Sequence, residues 1–301
     1  MQIHEPVMVS EVMAHLAPQR GGIFIDCTVG LGGHAAAMLA AGATRLIGFD
    51  RDPAALRIAA ERLQQFGDRV TLVHSDFRAI EDVLAARGEH GVDGVLADLG
   101  VSSMQLDGAG RGFSFRRDEA LDMRMDPSRG ATAADVLAVI DETSLADVIF
   151  EFGEERFSRR IARAIVAARE STPIATTGQL ANIVRRAVPH KGYQRIDPAT
   201  RTFQALRIYV NGELDGLDRF VEQAAVRLAP GGRLAVLTFH SLEDRIVKHT
   251  LRALERVDAV AVLTKKPLVP GDEEVTRNPR ARSAKLRVAA RPEAWGPGPG
   301  A

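Results

Sequence analysis

A glycine-rich turn near the amino terminus carries the residues whose types and spacing point most directly to chemistry. It contains Gly30, Gly32, Gly33 and His34, and it follows a short apolar run, residues 23–25, that ends on Asp26. Glycine lets a backbone turn tightly and approach a ligand, because it has no Cβ. An alanine-rich helix is predicted from His34 onward, so its free N–H groups would face the turn. The pattern therefore predicts a nucleotide-type cofactor site.

Asp50 lies at the end of a second apolar run, residues 45–50, twenty residues after Gly30. An acid at this place accepts hydrogen bonds from a ribose diol in dinucleotide sites. The same arrangement suits NAD and S-adenosylmethionine equally well. The glycines and Asp50 therefore predict the site and leave the cofactor open.

Two more apolar runs end in polar residues, and each run has the length of a strand. Residues 70–74 precede Asp76 and Phe77, and residues 94–98 end on Asp98. The carboxyl ends of parallel strands meet at one edge of an open α/β sheet, where ligands bind. The sequence predicts an α/β, doubly wound sheet with these polar residues at its crevice.

The strand–helix alternation stops after Asp98. Residues 102–211 look mostly helical and polar, and a helix at 214–228 closes with Ala-Pro-Gly-Gly. The final strands are predicted at 233–239, 257–263 and 284–289. We therefore predict a sheet domain in two parts, 1–103 and 212–291, an inserted helical domain at 104–211, and a disordered tail at 292–301.

The composition is typical of a soluble globular protein, with 46% apolar and 26% charged residues among 301. The single cysteine, Cys27, excludes internal disulfides and fits a reducing compartment. No apolar run approaches the roughly 18 residues of a membrane span, and no secretory leader is visible. The histidines are scattered and Cys-x-x-Cys is absent, so no metal site is expected. These features predict a cytoplasmic protein.

The net charge is zero, but the charges are unevenly distributed. Residues 156–207 contain eleven Lys or Arg against two acids, and residues 277–291 contain six basic residues and no acid. Residues 105–155 reverse the balance, with twelve acids to five arginines. Basic segments inside a neutral protein favour binding of a polyanion, and a solvated helix face paired to nearby acids is the alternative.

Longer motifs indicate which class of protein this chain resembles. The sheet, with its Pro-Gly-Gly turn before the fifth strand, resembles class I S-adenosylmethionine-dependent methyltransferases. Eight segments together resemble the RsmH family of bacterial 16S ribosomal RNA (cytosine-N4)-methyltransferases, and the likeness runs from about residue 4 to residue 287. The segments are 30–34, 98–103, 111–115, 121–126, 153–157, 199–205, 239–248 and 278–283.

The resemblance implies S-adenosylmethionine as cofactor and a set of residues that hold it. Gly32, Gly33 and His34 would line the methionine and ribose portions, and Asp50 would accept from the ribose hydroxyls. Phe77 would stack or pack against adenine, with Asp76 accepting from the adenine amine. Asp98 and Gln105 would close the site. Alternatives from the residues themselves are a helix cap for Asp50, core packing for Phe77 and a structural carboxylate at Asp98.

The implied reaction is methyl transfer to the exocyclic amine of a decoding-site cytosine in 16S rRNA. That nitrogen is a poor nucleophile, so an acceptor that orients its N–H bonds and balances developing charge would help. Asp98 is the candidate catalytic residue. Many amino methyltransferases place a Pro-Pro-aromatic motif here, and this chain has none. Phe113 and Phe115 are the candidates for stacking on the cytosine, with loop packing as the alternative.

The expected partner is 16S rRNA within the small ribosomal subunit, and the inserted domain at 104–211 is the part expected to recognise it. Arg156, Arg159, Arg160 and Arg163 fall on one face of a predicted helix and would meet phosphate, unless they pair with the acids at 151, 154 and 155. Arg280, Arg282 and Lys285 are predicted as a second contact, and His240 and Asp244 as residues that reach the site. An NAD-linked oxidoreductase and a non-enzymatic ribosome-assembly factor remain alternatives, and a homodimer is left open.

Overall fold

The computed structural model describes residues 6–108, 110–189 and 196–293. The chain divides into two compact units. Met1–Gly100 and Gly216–Ala301 form the first, called the sheet unit here, and Val101–Asp215 form the second, called the helical unit. Most of the predicted tail, residues 294–301, lies outside the described residues.

The described part of the sheet unit contains a seven-stranded sheet in the order β3-β2-β1-β4-β5-β7-β6. The first five strands are parallel, and β7 runs antiparallel to both β5 and β6. Its central strands are nearly continuous apolar runs, as expected for strands covered on both faces. The strands are β1 (Ile23–Asp26), β2 (Arg45–Asp50), β3 (Val70–His74), β4 (Val92–Asp98), β5 (Leu228–Thr238), β6 (Ala261–Val262) and β7 (Lys285–Ala290). The predicted α/β doubly wound fold is confirmed.

The helices of the sheet unit begin at recognisable signals. Pro53 opens α3, and the Asp52 side chain accepts from the N–H of Ala54 as its cap. His240 caps α12 by accepting from the N–H of Glu243. The helices are α1 (Val9–Leu16), α2 (Gly33–Ala41), α3 (Pro53–Leu63), α4 (Ile80–Ala86), α11 (Leu217–Val226), α12 (Ser241–Arg256) and α13 (Asp272–Arg277). Among the described residues, no helix combines the length and apolar character that crossing a bilayer requires.

The helical unit packs its helices around an apolar core that includes Leu145, Ile161, Leu180 and Phe203. A buried asparagine, Asn211, is hydrogen-bonded to the backbone of the loop that precedes α6 (Ala133–Val139). Its Oδ1 accepts from the N–H of Met125 and its Nδ2 donates to the carbonyl of Met123. The helices are α5 (Ser103–Asp107), α6 (Ala133–Val139), α7 (Glu142–Gly153), α8 (Ser158–Ser171), α9 (Thr177–Ala187) and α10 (Ala199–Asn211).

Two predicted boundaries are wrong. The Pro-Gly-Gly turn does not close a helix ending at 228: α11 ends at Val226, and β5 begins before the turn, at Leu228. Leu228 pairs with Val92, the register then shifts, and pairing resumes at Arg233 with Gly94, so the turn is a bulge within the strand. The strand predicted at 257–263 shrinks to Ala261–Val262, because α12 continues to Arg256.

Candidate active site

The order of the strands reverses at β1, which has β2 on one side and β4 on the other. In open α/β sheets such a switch point opens a crevice at the carboxyl ends of the strands, where ligands bind. Asp26 ends β1, Asp50 ends β2 and Asp98 ends β4. Three carboxylates therefore lie at the edge of the sheet where the sequence predicts a cofactor.

The backbone N–H of Asp98 makes a hydrogen bond that fixes the residue, and one oxygen of its carboxylate has no hydrogen-bond partner in the described chain. Its N–H donates to Thr28 Oγ1 at 2.6 Å, which ties the end of β4 to the turn after β1. Its Oδ2 lies 3.6 Å from Nε2 of His34, and its enclosed Oδ1 has no hydrogen-bond partner in the described chain. Burial, reinforced by the charges of Asp26 and Glu243, raises the pKa of Asp98 to about 8. Such a perturbed acid in a crevice is typical of a functional group.

Asp26 belongs to the same site, although sequence reasoning used it only to mark the end of a strand. It is 1% exposed. Its Oδ1 accepts from the N–H of Thr28 at 3.2 Å, and its Oδ2 has no partner among the described residues. Burial raises its pKa to about 7 despite that hydrogen bond, and the charge of Asp50 adds to the rise. The signal that could have found it is its position, the last residue of the switch-point strand before the glycine turn.

The glycine turn leads into α2 at this same edge. Gly32 has φ 76°, a left-handed conformation that favours glycine, and it precedes the first helical residue, Gly33. A Cβ at Gly33 would stand 2.2 Å from the ring of Pro6, so packing alone requires glycine there. The His34 side chain is buried and faces Asp98. The first N–H groups of α2 lack helical partners and are suited to a polar ligand.

Asp50 has a geometry that suits a ribose diol. Its Oδ2 accepts from the N–H of Gly30 at 2.7 Å, and its Oδ1 accepts from the N–H of Asp52 at 2.8 Å. Burial raises the pKa of Asp50, outweighing these backbone N–H groups. Each carboxylate oxygen has a second lone pair, so the backbone fixes the group without exhausting its acceptors.

Phe77 and Asp76 are both engaged within the sheet unit. The Phe77 ring is buried, with its centroid 4.7 Å from that of Phe220 and the planes at 60°. Both oxygens of Asp76 accept from Arg78, and Arg51 Nε lies 3.0 Å from Oδ2. Burial acts to raise the pKa of Asp76, but the hydrogen bonds and charges of the two arginines hold it below its ordinary value. The expected hydrogen bond from adenine to Asp76 would therefore have to compete with two guanidinium groups.

Gln105 is buried in the helical unit, where it completes the cap of α5. Its Oε1 accepts from the N–H of Ser102 at 2.9 Å, and the Ser102 hydroxyl accepts from the N–H of Gln105 at 3.2 Å. This reciprocal capping box holds the residue in place. Its predicted contact with the cofactor stays a prediction.

The two aromatics expected to stack on cytosine both make packing contacts within the helical unit, where Phe113 is buried and Phe115 is partly buried. Phe113 is 7% exposed and belongs to the core of that unit. The Phe115 ring lies edge-on to Phe203, with centroids 4.8 Å apart, and the Arg185 guanidinium lies 5.5 Å from its centroid. Loop packing, the alternative left open by the sequence, is what the contacts support.

Replacing Phe115 by leucine should lower the free energy of unfolding by about 1 kcal/mol, because the edge-on pair with Phe203 is lost. Turnover per folded molecule should stay close to that of the unmodified protein. Urea unfolding followed by circular dichroism and a methylation assay on the same preparation measure the two effects. Phe150→Leu is the control, since Phe150 is 60% exposed on α7 and its replacement should leave both unchanged. A raised KM for RNA at unchanged stability would restore the stacking hypothesis.

The residues expected to reach the site from α12 have other partners. Asp244 accepts from Arg287 Nε at 2.6 Å and from Lys285 Nζ at 3.2 Å, and its predicted reach to the crevice stays a prediction. Lys285 is likewise occupied by this ion pair. His240 caps α12, and its Nε2 lies 3.0 Å from Glu243 Oε1.

The arginines predicted to meet phosphate are exposed: Arg159, Arg160 and Arg163 lie on α8, and Arg156 lies two residues before its first residue. Arg163 approaches Glu142 at 3.4 Å, while Arg159 and Arg160 have no hydrogen bond or ion pair to any described residue. Glu155, one of the acids expected to pair with them, lies 3.5 Å from Arg201 instead. The basic face of α8 is therefore available to a polyanion. It comprises Arg156, Arg159, Arg160 and Arg163.

The charge of the crevice discriminates between the two cofactors that the glycine turn allows. Asp26 and Asp98 repel each other, and neither has a Lys or Arg ion-pair partner among the described residues. A pyrophosphate such as that of NAD would add to this repulsion, whereas a positively charged ligand would relieve it. The sulfonium and ammonium of S-adenosylmethionine fit, and the unpartnered oxygens of the two acids are suited to such a cation.

Three features together define a class I S-adenosylmethionine-dependent methyltransferase. They are the antiparallel β7 between β5 and β6, the glycine turn after β1, and the acid that ends β2. The chain belongs to the MraW methylase family, whose model matches residues 1–292. Family membership excludes the oxidoreductase alternative.

Three relatives that match nearly the whole chain are named ribosomal RNA small subunit methyltransferase H. The protein of that name from Sorangium cellulosum is 55% identical over 288 residues, covering 96% of this chain and 90% of its own length. The one from Nitrobacter winogradskyi is 53% identical over 305 residues, with 97% and 91% covered. The one from Synechococcus elongatus is 51% identical over 290 residues, with 96% and 94% covered.

Proposed function

We propose that this protein methylates the exocyclic N4 amine of a decoding-site cytosine in the 16S rRNA of the small ribosomal subunit. S-adenosylmethionine supplies the methyl group, bonded to a positively charged sulfur. The observation that carries the proposal is Asp98, with an unpartnered carboxylate oxygen at the switch point of a methyltransferase sheet. The relatives named above supply the class of RNA.

Different residues at the crevice bind different parts of the cofactor and the substrate. Asp50 holds the ribose diol through the free lone pairs of its anchored carboxylate, and Gly32, Gly33 and His34 lie along the cofactor's methionine and ribose portions. Phe77 packs against adenine. Asp98 accepts an N–H of the cytosine amine and faces the positive charge that grows on the nitrogen as it is methylated. Asp26, whose Oδ1 accepts from the N–H of Thr28, supplies a second carboxylate beside it.

RNA binding falls to the basic face of α8 in the helical unit. Exposed arginines meet phosphate by charge and by paired N–H donors, independently of sequence. The base itself must be unpaired or turned out of its stack before its amine can be reached. A folded ribosomal particle that presents one such cytosine is therefore the substrate we expect.

Small ribosomal subunits from cells that lack the endogenous enzyme provide the test. Incubation with the protein and labelled S-adenosylmethionine should place label on N4 of one decoding-site cytidine, identified by digestion and mass spectrometry. Label on a different base would keep the methyltransferase and remove the proposed target. Absence of label, with S-adenosylhomocysteine binding and intact subunits both verified, would favour a non-enzymatic assembly factor.

The proposal places the protein in the cytoplasm, where small subunits are assembled. A homodimer is compatible with it. Fluorescence microscopy of a tagged chain and sedimentation equilibrium of the purified protein test the two statements separately.

A further inference from the structure

A cavity of about 210 Å³ opens in the sheet unit between α12 and the strands β6 and β7. A water molecule occupies roughly 30 Å³ of liquid, so the cavity accommodates several waters or one compact polyatomic ion. None of the residues that line it belongs to the crevice at Asp98. The chemistry of the lining decides what it could hold.

The inner wall of the cavity is polar, buried and rigidly held. The Arg287 side chain is 6% exposed, and its Nε and Nη2 donate to Asp244 at 2.6 and 3.2 Å. Its third nitrogen, Nη1, makes no hydrogen bond within the described chain. Thr264 is buried beside it, and its hydroxyl accepts from the N–H of Val288 at 2.8 Å. The wall therefore presents an oriented guanidinium that is fixed before any ligand arrives.

The mouth of the cavity carries an excess of positive charge. Lys248 and Arg252 stand one turn apart on α12, and Lys265 follows β6. Within the described residues none of the three has a hydrogen bond or ion pair. Glu255 is the acid in the lining, and its Oε1 accepts from the N–H of Val262. Three unpaired cations around one acid repel each other, and an anion between them relieves that repulsion.

The helix α12 links this cavity to the crevice. Glu243, in its first turn, acts electrostatically on Asp98, so the helix begins beside the reaction centre. Lys248 and Arg252 follow Glu243 by five and nine residues, which is about 8 and 14 Å along a helix rising 1.5 Å per residue. An anion in the cavity would therefore lie within a few nucleotides of a base held at Asp98.

We propose that this cavity is a phosphate site that holds the backbone of the RNA substrate a short distance from the reacting base. The inference rests on the proposed function for its source of phosphate. A phosphodiester fits because it offers two anionic oxygens to several donors at once, the arrangement that guanidinium and ammonium groups bind. The site adds a contact of the sheet unit to those expected from the basic face of α8.

The double variant Arg252→Gln/Lys265→Gln tests the site by removing two of its charges. The affinity for small ribosomal subunits, measured by filter binding, should fall about tenfold at 0.1 M salt. The slope of log affinity against log salt should decrease by up to about 0.7, since the cavity holds one phosphate and each lost contact with single-stranded phosphate contributes about 0.7. Binding of S-adenosylhomocysteine should be unchanged. The matched control is Arg256→Gln/Lys266→Gln, which removes the same charge from exposed neighbours outside the cavity lining and should leave both affinity and slope unaltered.

The outcomes distinguish RNA phosphate from free phosphate as the ligand of the cavity. They also test the cavity independently of the proposed methylation. Equal losses in the variant and the control would overturn the site, because general surface charge would account for them. Stabilisation of the unmodified protein by millimolar inorganic phosphate, absent in the variant while subunit affinity stays intact, would make it a site for a free anion and overturn the RNA assignment. Filter binding needs no turnover, so the cavity is tested even if cytosine methylation fails.

Discussion

Replacing Asp98 by asparagine should lower turnover on small ribosomal subunits by about 10²–10⁴-fold, the usual contribution of a positioned acid or base. Asparagine keeps the size and one acceptor oxygen, but it cannot balance the positive charge that grows on the amine. Cofactor binding should weaken far less than turnover, because Asp50 and the glycine turn remain. Single-turnover methylation and S-adenosylhomocysteine titration measure the two effects.

The same substitution should stabilise the ligand-free protein at alkaline pH. The pKa of Asp98 is about 8 in the folded protein and about 3.9 in an unfolded chain, so the folded state binds a proton that the unfolded state lacks between these values. Stability from this group is present below pH 4 and is lost as pH rises to 8. The side chain is 23% exposed, which moderates the effect to the order of 1–3 kcal/mol. The melting temperature should therefore rise by several degrees at pH 8.5 and by less at pH 6.

Asp93→Asn is the matched control, because Asp93 lies near the opposite end of the same strand. Its Oδ2 accepts from the N–H of Ile23 at 2.7 Å, and an amide oxygen can replace that acceptor. Turnover should stay unchanged in this variant. Near-normal turnover in Asp98→Asn would remove Asp98 from catalysis, and an equal loss of turnover and of S-adenosylhomocysteine affinity would restrict it to binding.

The sheet edge that carries these acids was predictable from sequence because strand ends are local features. Apolar runs of four to seven residues, each ending in Asp26, Asp50 or Asp98, define where the strands stop. Parallel strands then bring their carboxyl ends together without further information. The residue types and the fold class followed from this argument, and the family resemblance supplied the cofactor.

Interactions between distant residues were not predictable in the same way. Phe115 meets Phe203 and Asp244 meets Arg287, and nothing near either residue in the sequence indicates these partners. An aromatic in a glycine- and arginine-rich loop and an acid at the start of a helix both suggest exposure. Tertiary packing decided otherwise, since each side chain found a partner at least 43 residues away.

The position of Asp26 at the end of a strand was predictable from sequence. Its place in the proposed site became visible only in the structure. A carboxylate at the end of a strand becomes informative once its oxygens are counted and one is left without a partner. Burial, reinforced by the charges of Asp26 and Glu243, raises the pKa of Asp98, so the arrangement that attracts a cation also destabilises the empty site. Such a cost is typical of active sites.

Binding of S-adenosylmethionine should therefore depend on pH, tightening about fiftyfold between pH 6 and pH 8. Asp98 is largely protonated in this range before the cofactor arrives, because its pKa is about 8. Pairing with a cation requires the ionised carboxylate, so one proton is released on binding, and the affinity changes about tenfold per pH unit below that pKa. S-adenosylhomocysteine has no sulfonium charge, so its affinity should depend on pH more weakly.

Isothermal titration calorimetry in buffers of different ionisation enthalpy counts the released protons directly. At pH 7, close to one proton should leave with S-adenosylmethionine and clearly fewer with S-adenosylhomocysteine. Asp98→Asn should remove the difference, and Asp93→Asn should retain it. Equal proton release for the two ligands would mean that the sulfonium does not act on Asp98, and the acid would then have to act on the cytosine amine alone. If the two ligands still release different numbers of protons in Asp98→Asn, the released proton comes from Asp26. Its pKa of about 7 makes it the second group able to release a proton in this range.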